Sequence, residues 1–248
     1  MTSPDPAPTE AMVRRDLAAV YRLVAQQGWD DLIFTHISAR VPGPEHHFLI
    51  NPFGLRFDEV TASNLVKIDL DGHPVGPSDH PVNPAGFTIH SALHMAREDA
   101  QCVIHLHTND GVAVAMQADG LLPLSQHAMM VADEIAYHDY EGIAFDLDER
   151  ERLVADMGEK HLMILRNHGT LAVGVSCAAA WLAIYFLERA CTMQIRAQSS
   201  GVRLMQPRQG AAQKVTDQST SLFTGTAGAF TWPALLRKLD LSDPGYAL

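Results

Sequence analysis

Cysteine is scarce in this 248-residue chain: Cys102, Cys177 and Cys191 stand far apart, are odd in number and form no C-x-x-C pair. That excludes a disulfide framework and a thiolate zinc site, and leaves three small core residues. Positive charge is also short. Eighteen Lys and Arg face 29 Asp and Glu, a formal net charge of −11, so nucleic acid and anionic membranes are excluded as partners. No apolar run is long enough to span a bilayer. Residues 1–8 are polar and Pro-rich and lack the basic-then-apolar pattern of a signal peptide, which predicts a disordered tail on a cytoplasmic protein. No Gly-rich loop sits between a strand and a helix, so a nucleotide-binding fold has no motif to rest on.

What is present is an ordinary globular composition, 47% hydrophobic and 19% charged, enough for one large α/β domain over 9–248 with a C-terminal extension from about 201. Thr9 caps a helix in which Val13, Leu17, Val20, Tyr21 and Val24 recur at helical spacing up to Gly28. Strands are predicted at 32–40, 48–51, 65–70, 102–107, 125–130, 162–165 and 171–173. Helices are predicted at 86–97, 109–117, 148–160, 176–199 and, shorter, around 232–239. The region of Tyr137, His138 and Tyr140 reads as irregular, and 206–220 as a mobile flap or partner-binding arm. Several strand pairs are joined by turns too short for a parallel crossover. A mixed, mostly antiparallel sheet flanked by helices therefore fits better than a doubly wound parallel one.

The chemistry-bearing feature is histidine, 13 in all. His105 and His107 are two apart in the strand at 102–107, so both imidazoles project from one face while Cys102, Ile104 and Leu106 take the other. Such a pair either chelates an ion or lies on a solvated strand face. His168, in the turn Asn167-His168-Gly169-Thr170, supplies a third neutral nitrogen, and Gly169 permits an unusual backbone and close approach. Three imidazoles leave coordination positions open for water or substrate.

The run Val103-Ile104-His105-Leu106-His107, followed about sixty residues later by Leu165-Arg166-Asn167-His168-Gly169, resembles the metal-binding pattern of the class II aldolase/adducin family. That family includes fuculose-phosphate and rhamnulose-phosphate aldolases, ribulose-phosphate epimerase and the head of adducin. The segment from Gly28 to Arg40 is similar to the family's first strand, and Asn51-Pro52-Phe53-Gly54 to its thr/asn-pro-x-gly turn. The resemblance runs from about Val13 to Ser199. It implies a three-layer α/β/α domain around a mixed, mostly antiparallel sheet. It also implies one divalent metal on His105, His107 and His168 (zinc first, iron or manganese otherwise), a small-molecule substrate and a homotetramer with the site near a subunit interface. Thr35, Asn51, Gly54 and Gly86 fall at substrate-binding positions.

The chain departs from the sugar-phosphate aldolases in ways that bear on chemistry. Their acid/base glutamate stands four residues before a helical histidine; the matching histidine is His90, and four residues earlier is Gly86. Two phosphate-binding serines are replaced by Pro84 and Ala85, and a glycine-asparagine pair by Thr35-His36. These losses argue against a phosphorylated sugar. His36 and His127, the latter matching a catalytic tyrosine contributed near the interface, are the replacement acid/base groups, since imidazole titrates near neutrality. Glu134 is a nearby carboxylate of less weight. His90 and His94, one helical turn apart, read as packing and hydrogen-bonding residues, and Glu188-Arg189 as a surface ion pair. The expected function is a metal-dependent lyase, by retro-aldol cleavage or decarboxylation, acting on a small non-phosphorylated substrate such as a hydroxy acid. The alternatives are a non-catalytic adducin-like binding module or a non-haem iron oxygenase.

Overall fold

The computed structural model describes residues 8–143, 147–224 and 226–248, with backbone alone at 84–87, 220–224 and 226–228. The tail expected at 1–8 lies almost wholly outside the described residues. The first helix, α1 (Glu10–Gln27), starts where the Thr9 hydroxyl accepts the Met12 N–H at 3.3 Å and stops at Gly28, whose φ of 67° is left-handed.

Seven strands follow: β1 (His36–Arg40), β2 (Phe48–Ile50), β3 (Val66–Ile68), β4 (Cys102–Leu106), β5 (Ile135–His138), β6 (Leu162–Leu165) and β7 (Gly169–Gly174). They form one sheet in the order β3-β2-β1-β4-β7-β6-β5. Every neighbouring pair is antiparallel except β5–β6, as expected of a mixed, mostly antiparallel sheet. Helices α2 (Pro84–Ala96) and α5 (Glu149–Met157) cover one face. There Ile89, Leu93, Leu153 and Met157 pack on Val103, Met163 and Val173. Helices α1 and α6 (Cys177–Ser199) cover the other, with Leu17, Val20, Trp181 and Ile184 against Ile37, Ile104 and Ile164. The α/β/α layering is thus present.

Strand alternation decides what each face holds. Ile37 and Ala39 of β1, and Cys102, Ile104 and Leu106 of β4, enter the α1/α6 core. His36, Ser38 and His105 are therefore directed to the α2/α5 face, and the register sets His36 directly opposite His105. Tyr21 fastens this edge. Its buried hydroxyl accepts the N–H groups of Ile37 (2.9 Å) and Asn51 (3.1 Å) and faces Asn51 Oδ1 at 2.9 Å.

Several sequence expectations are corrected. The predicted strand at 125–130 is helix α4 (Gln126–Val131), because the Ser125 hydroxyl accepts the Ala128 N–H at 3.1 Å and caps it. The region read as irregular contains β5, paired with β6. The stretch read as a flap carries α7 (Ala211–Thr224), held on α4 by the hydroxyls of Thr216 and Ser219 donating to the carbonyls of Met129 (3.1 Å) and Met130 (3.2 Å). Helix α8 (Thr226–Ser242) is longer than the segment expected at 232–239. The C-terminus beyond it returns to α1, where Asp243 pairs with Arg22 at 2.9 Å and Tyr246 is fully buried. Among the described residues, no helix is long and apolar enough to cross a membrane.

Candidate metal centre

His105 is the penultimate residue of β4, His107 directly follows the strand, and His168 stands in the turn between β6 and β7. That turn is made possible by two neighbours. Asn167 takes the left-handed conformation at φ 58°, a region Asn tolerates better than most residues. Gly169 serves by its lack of a side chain rather than by an unusual φ. A Cβ there would run into the Leu106 carbonyl and lie 3.1 Å from His107 Cδ2 and 3.4 Å from His105 Cε1. Gly169→Ala is therefore expected to push β7 from β4, to lower stability by about 1–3 kcal/mol as overpacking does, and to weaken metal binding. Urea unfolding and metal titration of the variant check this, and unchanged values in both would refute the close-approach argument.

The three rings converge. His107 Nε2 lies 2.9 Å from His105 Nε2 and 3.0 Å from His168 Nε2. Two tautomers follow from their partners. His105 Nδ1 faces the Thr170 carbonyl at 3.0 Å, and His107 Nδ1 faces the Asp31 carboxylate at 3.2 Å. Neither acceptor has a proton to give, so both Nδ1 atoms carry the hydrogen, and in the neutral rings that a metal ligand requires both Nε2 atoms are bare. Two bare lone pairs 2.9 Å apart repel unless a cation lies between them. Metal–nitrogen bonds of about 2.0–2.1 Å at tetrahedral angles set ligand nitrogens about 3.4 Å apart, so the cluster needs to open by only a few tenths of an ångström. The donor set fits a divalent ion.

Electrostatics favours the ligand-competent neutral form. Burial, followed by the neighbouring His168, His107 and His36, holds His105 well below the ordinary imidazole pKa. Burial, then His107 and His138, brings His168 to about 4. The supporting partners include two residues to which the sequence reading gave no role at the site. Asp31 orients His107 as carboxylates commonly orient metal-ligating histidines. Glu188, expected on a helix surface, is 1% exposed. It accepts the hydroxyl protons of Thr108 (2.5 Å) and Thr170, which flank His107 and Gly169. Burial raises its pKa to about 7, against the lowering effect of the two threonines. Asp31 lies in a segment whose resemblance was noted; nothing local marks Glu188, eighty positions from Thr108.

The other predicted residues are distributed unevenly. His36 belongs to the cluster: its ring is 5.2 Å from that of His105, and burial, then His107 and His168, lowers its pKa to about 3. His127 packs on Phe186 of α6 at 5.3 Å between ring centroids. Burial and then Arg189 lower its pKa, and no contact joins it to the three histidines among the described residues. Thr35 is fully buried, with a hydroxyl that has no partner among the described residues. Asn51 is committed to Tyr21, and Gly54 is an exposed turn residue at φ 105°. Gly86 lies in the first turns of α2, four positions before His90. Tyr140, half exposed, brings its ring to 6.1 Å from His168. His138 is instead held between Asp156 (2.7 Å) and Glu149 (3.3 Å), and Glu134 is taken up by His161 at 2.8 Å.

Residues 15–195 match the model of the class II aldolase and adducin N-terminal domain. The chain is a member of the class II aldolase/adducin family. Within that family it is similar to an aldolase II superfamily protein of Pseudomonas syringae, with 53% identity, a TM-score of 0.93 and 98% of each chain covered. It is also similar to α-adducin of Rattus norvegicus, 47% identical over 77% of this chain and 26% of adducin. The L-fuculose 1-phosphate aldolase of Glaciozyma antarctica shares 27% identity and a TM-score of 0.83, over 99% of this chain and 96% of that one. A family defined by both enzymes and adducin heads fixes the scaffold; what this family member does is a question for its site.

Proposed function

We propose that the chain is a metal-dependent lyase that breaks a C–C bond, by retro-aldol cleavage or decarboxylation, in a small non-phosphorylated oxygenated substrate such as a hydroxy acid. The observation that carries this reading is the pair of bare Nε2 atoms of His105 and His107 at 2.9 Å, with His168 Nε2 closing the set. Holding three imidazole nitrogens this close together is unfavourable without an ion, and an adducin-like scaffold has no need of it. A bound divalent ion, zinc by ligand type, supplies a Lewis acid that accepts negative charge as a carbonyl is unmasked.

The chain's own groups do the remaining work. His36 is buried with its ring 5.2 Å from that of His105 and is the candidate acid/base group on this face. Tyr140 lines the approach to His168 from solvent. With Gly86 where sugar-phosphate aldolases carry a glutamate, proton transfer falls to His36 rather than to helix α2. His127 serves a site only if another copy of the chain brings one to it, which agrees with a homo-oligomer, a tetramer by family resemblance.

A second reading is supported by one finding: identity to α-adducin, at 47%, exceeds identity to the fuculose-phosphate aldolase, at 27%. Under it the fold is a binding module. Elemental analysis of the purified protein, with product detection by NMR on a panel of unphosphorylated hydroxy acids and aldols, separates the two. One equivalent of metal and turnover abolished by His105→Ala supports the lyase. Absence of metal after growth and refolding in zinc, iron and manganese rejects it.

A further inference from the structure

Four side chains and one carbonyl form an unbroken hydrogen-bonded line through the α2/α5 face. His94 Nδ1 meets the Ala100 carbonyl at 2.6 Å; His94 Nε2 meets Ser38 Oγ at 2.7 Å; Ser38 Oγ meets His90 Nδ1 at 2.6 Å; His90 Nε2 meets His36 Nδ1 at 2.8 Å. Each link has one proton, and the direction of the whole line is set at its far end. A carbonyl can only accept, so His94 Nδ1 carries the hydrogen. His94 is neutral: it is 1% exposed, stacked on Phe48 at 4.5 Å, and its charged neighbour is Arg40, which donates to the His94 backbone carbonyl. Its Nε2 is then bare and takes the Ser38 proton. The single serine hydrogen is thereby spent, and Ser38 Oγ must accept from His90 Nδ1. His90 Nε2 is left bare and accepts from His36 Nδ1. The only free polar atom of the line is His36 Nε2, which has no hydrogen-bond partner among the described residues.

We propose that Ser38, His90 and His94 are positioning residues that lock His36 as its Nδ1–H tautomer and so present Nε2 as a hydrogen-bond acceptor to a hydroxyl-bearing ligand at the metal centre. The tautomer stands on the line alone; the ligand assignment rests on the lyase reading. An acceptor at this place refuses an oxyanion that has no proton and welcomes an alcohol. A His36 of the opposite tautomer, with Nε2–H outward, would suit an anion instead.

The test is long-range proton–nitrogen NMR on the full chain labelled with 15N-histidine, at neutral pH, metal-free and zinc-loaded, with His36→Gln assigning the resonance. The expected result is a protonated Nδ1 and a bare Nε2 on His36 in the metal-free protein. Ser38→Ala cuts the line and is expected to give mixed tautomers at His36 and His90; Ser38→Thr, which keeps the hydroxyl, is expected to restore the wild-type pattern. In the zinc-loaded protein glycolate should shift His36 Nε2, and sulfate should not. A protonated Nε2 in the wild type, or Ser38→Ala without effect on the tautomer, overturns the lock. A zinc-induced shift of His36 equal to those of His105, His107 and His168 makes it a fourth ligand and overturns the acceptor role. Zinc stoichiometry measured on the same samples reports separately on the metal centre, so failure of the lyase reading is not confused with failure of the lock.

Discussion

His107→Ala removes metal binding while leaving the fold intact, and in the absence of metal the variant is at least as stable as the parent. His107 is the middle member of the cluster, with Nε2 at 2.9 Å from one ligand atom and 3.0 Å from the other. Without it two imidazoles remain and no chelate closes. Loss of an outer hydrogen bond to a ligand, such as Asp31→Asn, costs about 10–100-fold in metal affinity; loss of the ligand itself costs more than the upper end of that range. The fold does not depend on the ring. His107 lies one residue beyond β4 and its side chain is partly exposed, so truncation leaves no buried cavity. Deleting it also ends the lone-pair repulsion within the empty cluster. In zinc at 100 times its dissociation constant the parent gains about 2.7 kcal/mol that the variant cannot, so the two thermal midpoints cross over as zinc is added. Competition against a chromophoric chelator and thermal unfolding with and without zinc check both halves. A variant that retains one equivalent of zinc, or a parent whose midpoint ignores zinc, removes the basis for the site.

The elements that were readable in the sequence are those whose burial is decided by their own two faces. The 102–107 segment alternates between Cys102, Ile104, Leu106 and Val103, His105, His107, and β4 follows it with the histidines on the predicted face. Ser176 caps α6 as expected, accepting the Ala179 N–H at 3.2 Å. What was misread is structure whose burial comes from elsewhere. The six residues of α4 carry no helical signature of their own; α6 and α7 bury them. β5 was obscured by Tyr137 and His138, polar residues that the fold satisfies with Arg166 over the Tyr137 ring at 4.3 Å and with Asp156 and Glu149 on His138. The same limit applies to the site. The three convergent histidines were legible because H-x-H and N-H-G are local patterns. The Ser38 line joins residues 52 to 56 positions apart, and Glu188 reaches Thr108 across 80. The one-turn spacing of His90 and His94 marked them as hydrogen-bonding residues, but nothing in spacing joined them to Ser38 and His36, or Glu188 to Thr108.

The metal-free protein is expected to lose several kcal/mol of stability between pH 7.5 and pH 5.5, a large share of the about 5–15 kcal/mol that holds a typical domain together. Five histidines drive it. In the unfolded chain they titrate at the ordinary imidazole value of 6.5; in the fold, burial holds His36 and His94 at about 3, His168 at about 4, and His90 and His105 well below that value. A group whose folded pKa is depressed binds more protons when unfolded. The stability it contributes is whole above pH 6.5 and declines as pH falls toward the folded pKa. One unit below 6.5 each histidine that stays neutral in the fold costs on the order of 1 kcal/mol, so the five together outweigh any single group. Glu188 acts in the opposite sense. Its carboxyl, raised from 4.5 to about 7, takes up a proton in the fold over an interval where the unfolded chain leaves it ionised, which recovers about 2 kcal/mol. Urea unfolding in a chelator at the two pH values measures the net change, and the steepness of the decline counts the protons taken up. Glu188→Gln removes the compensation, so its stability should fall more steeply with acid than that of the parent. A parent whose unfolding free energy is flat over this interval would mean that the buried imidazoles are hydrated or already protonated, and the neutral line through Ser38 could not then exist.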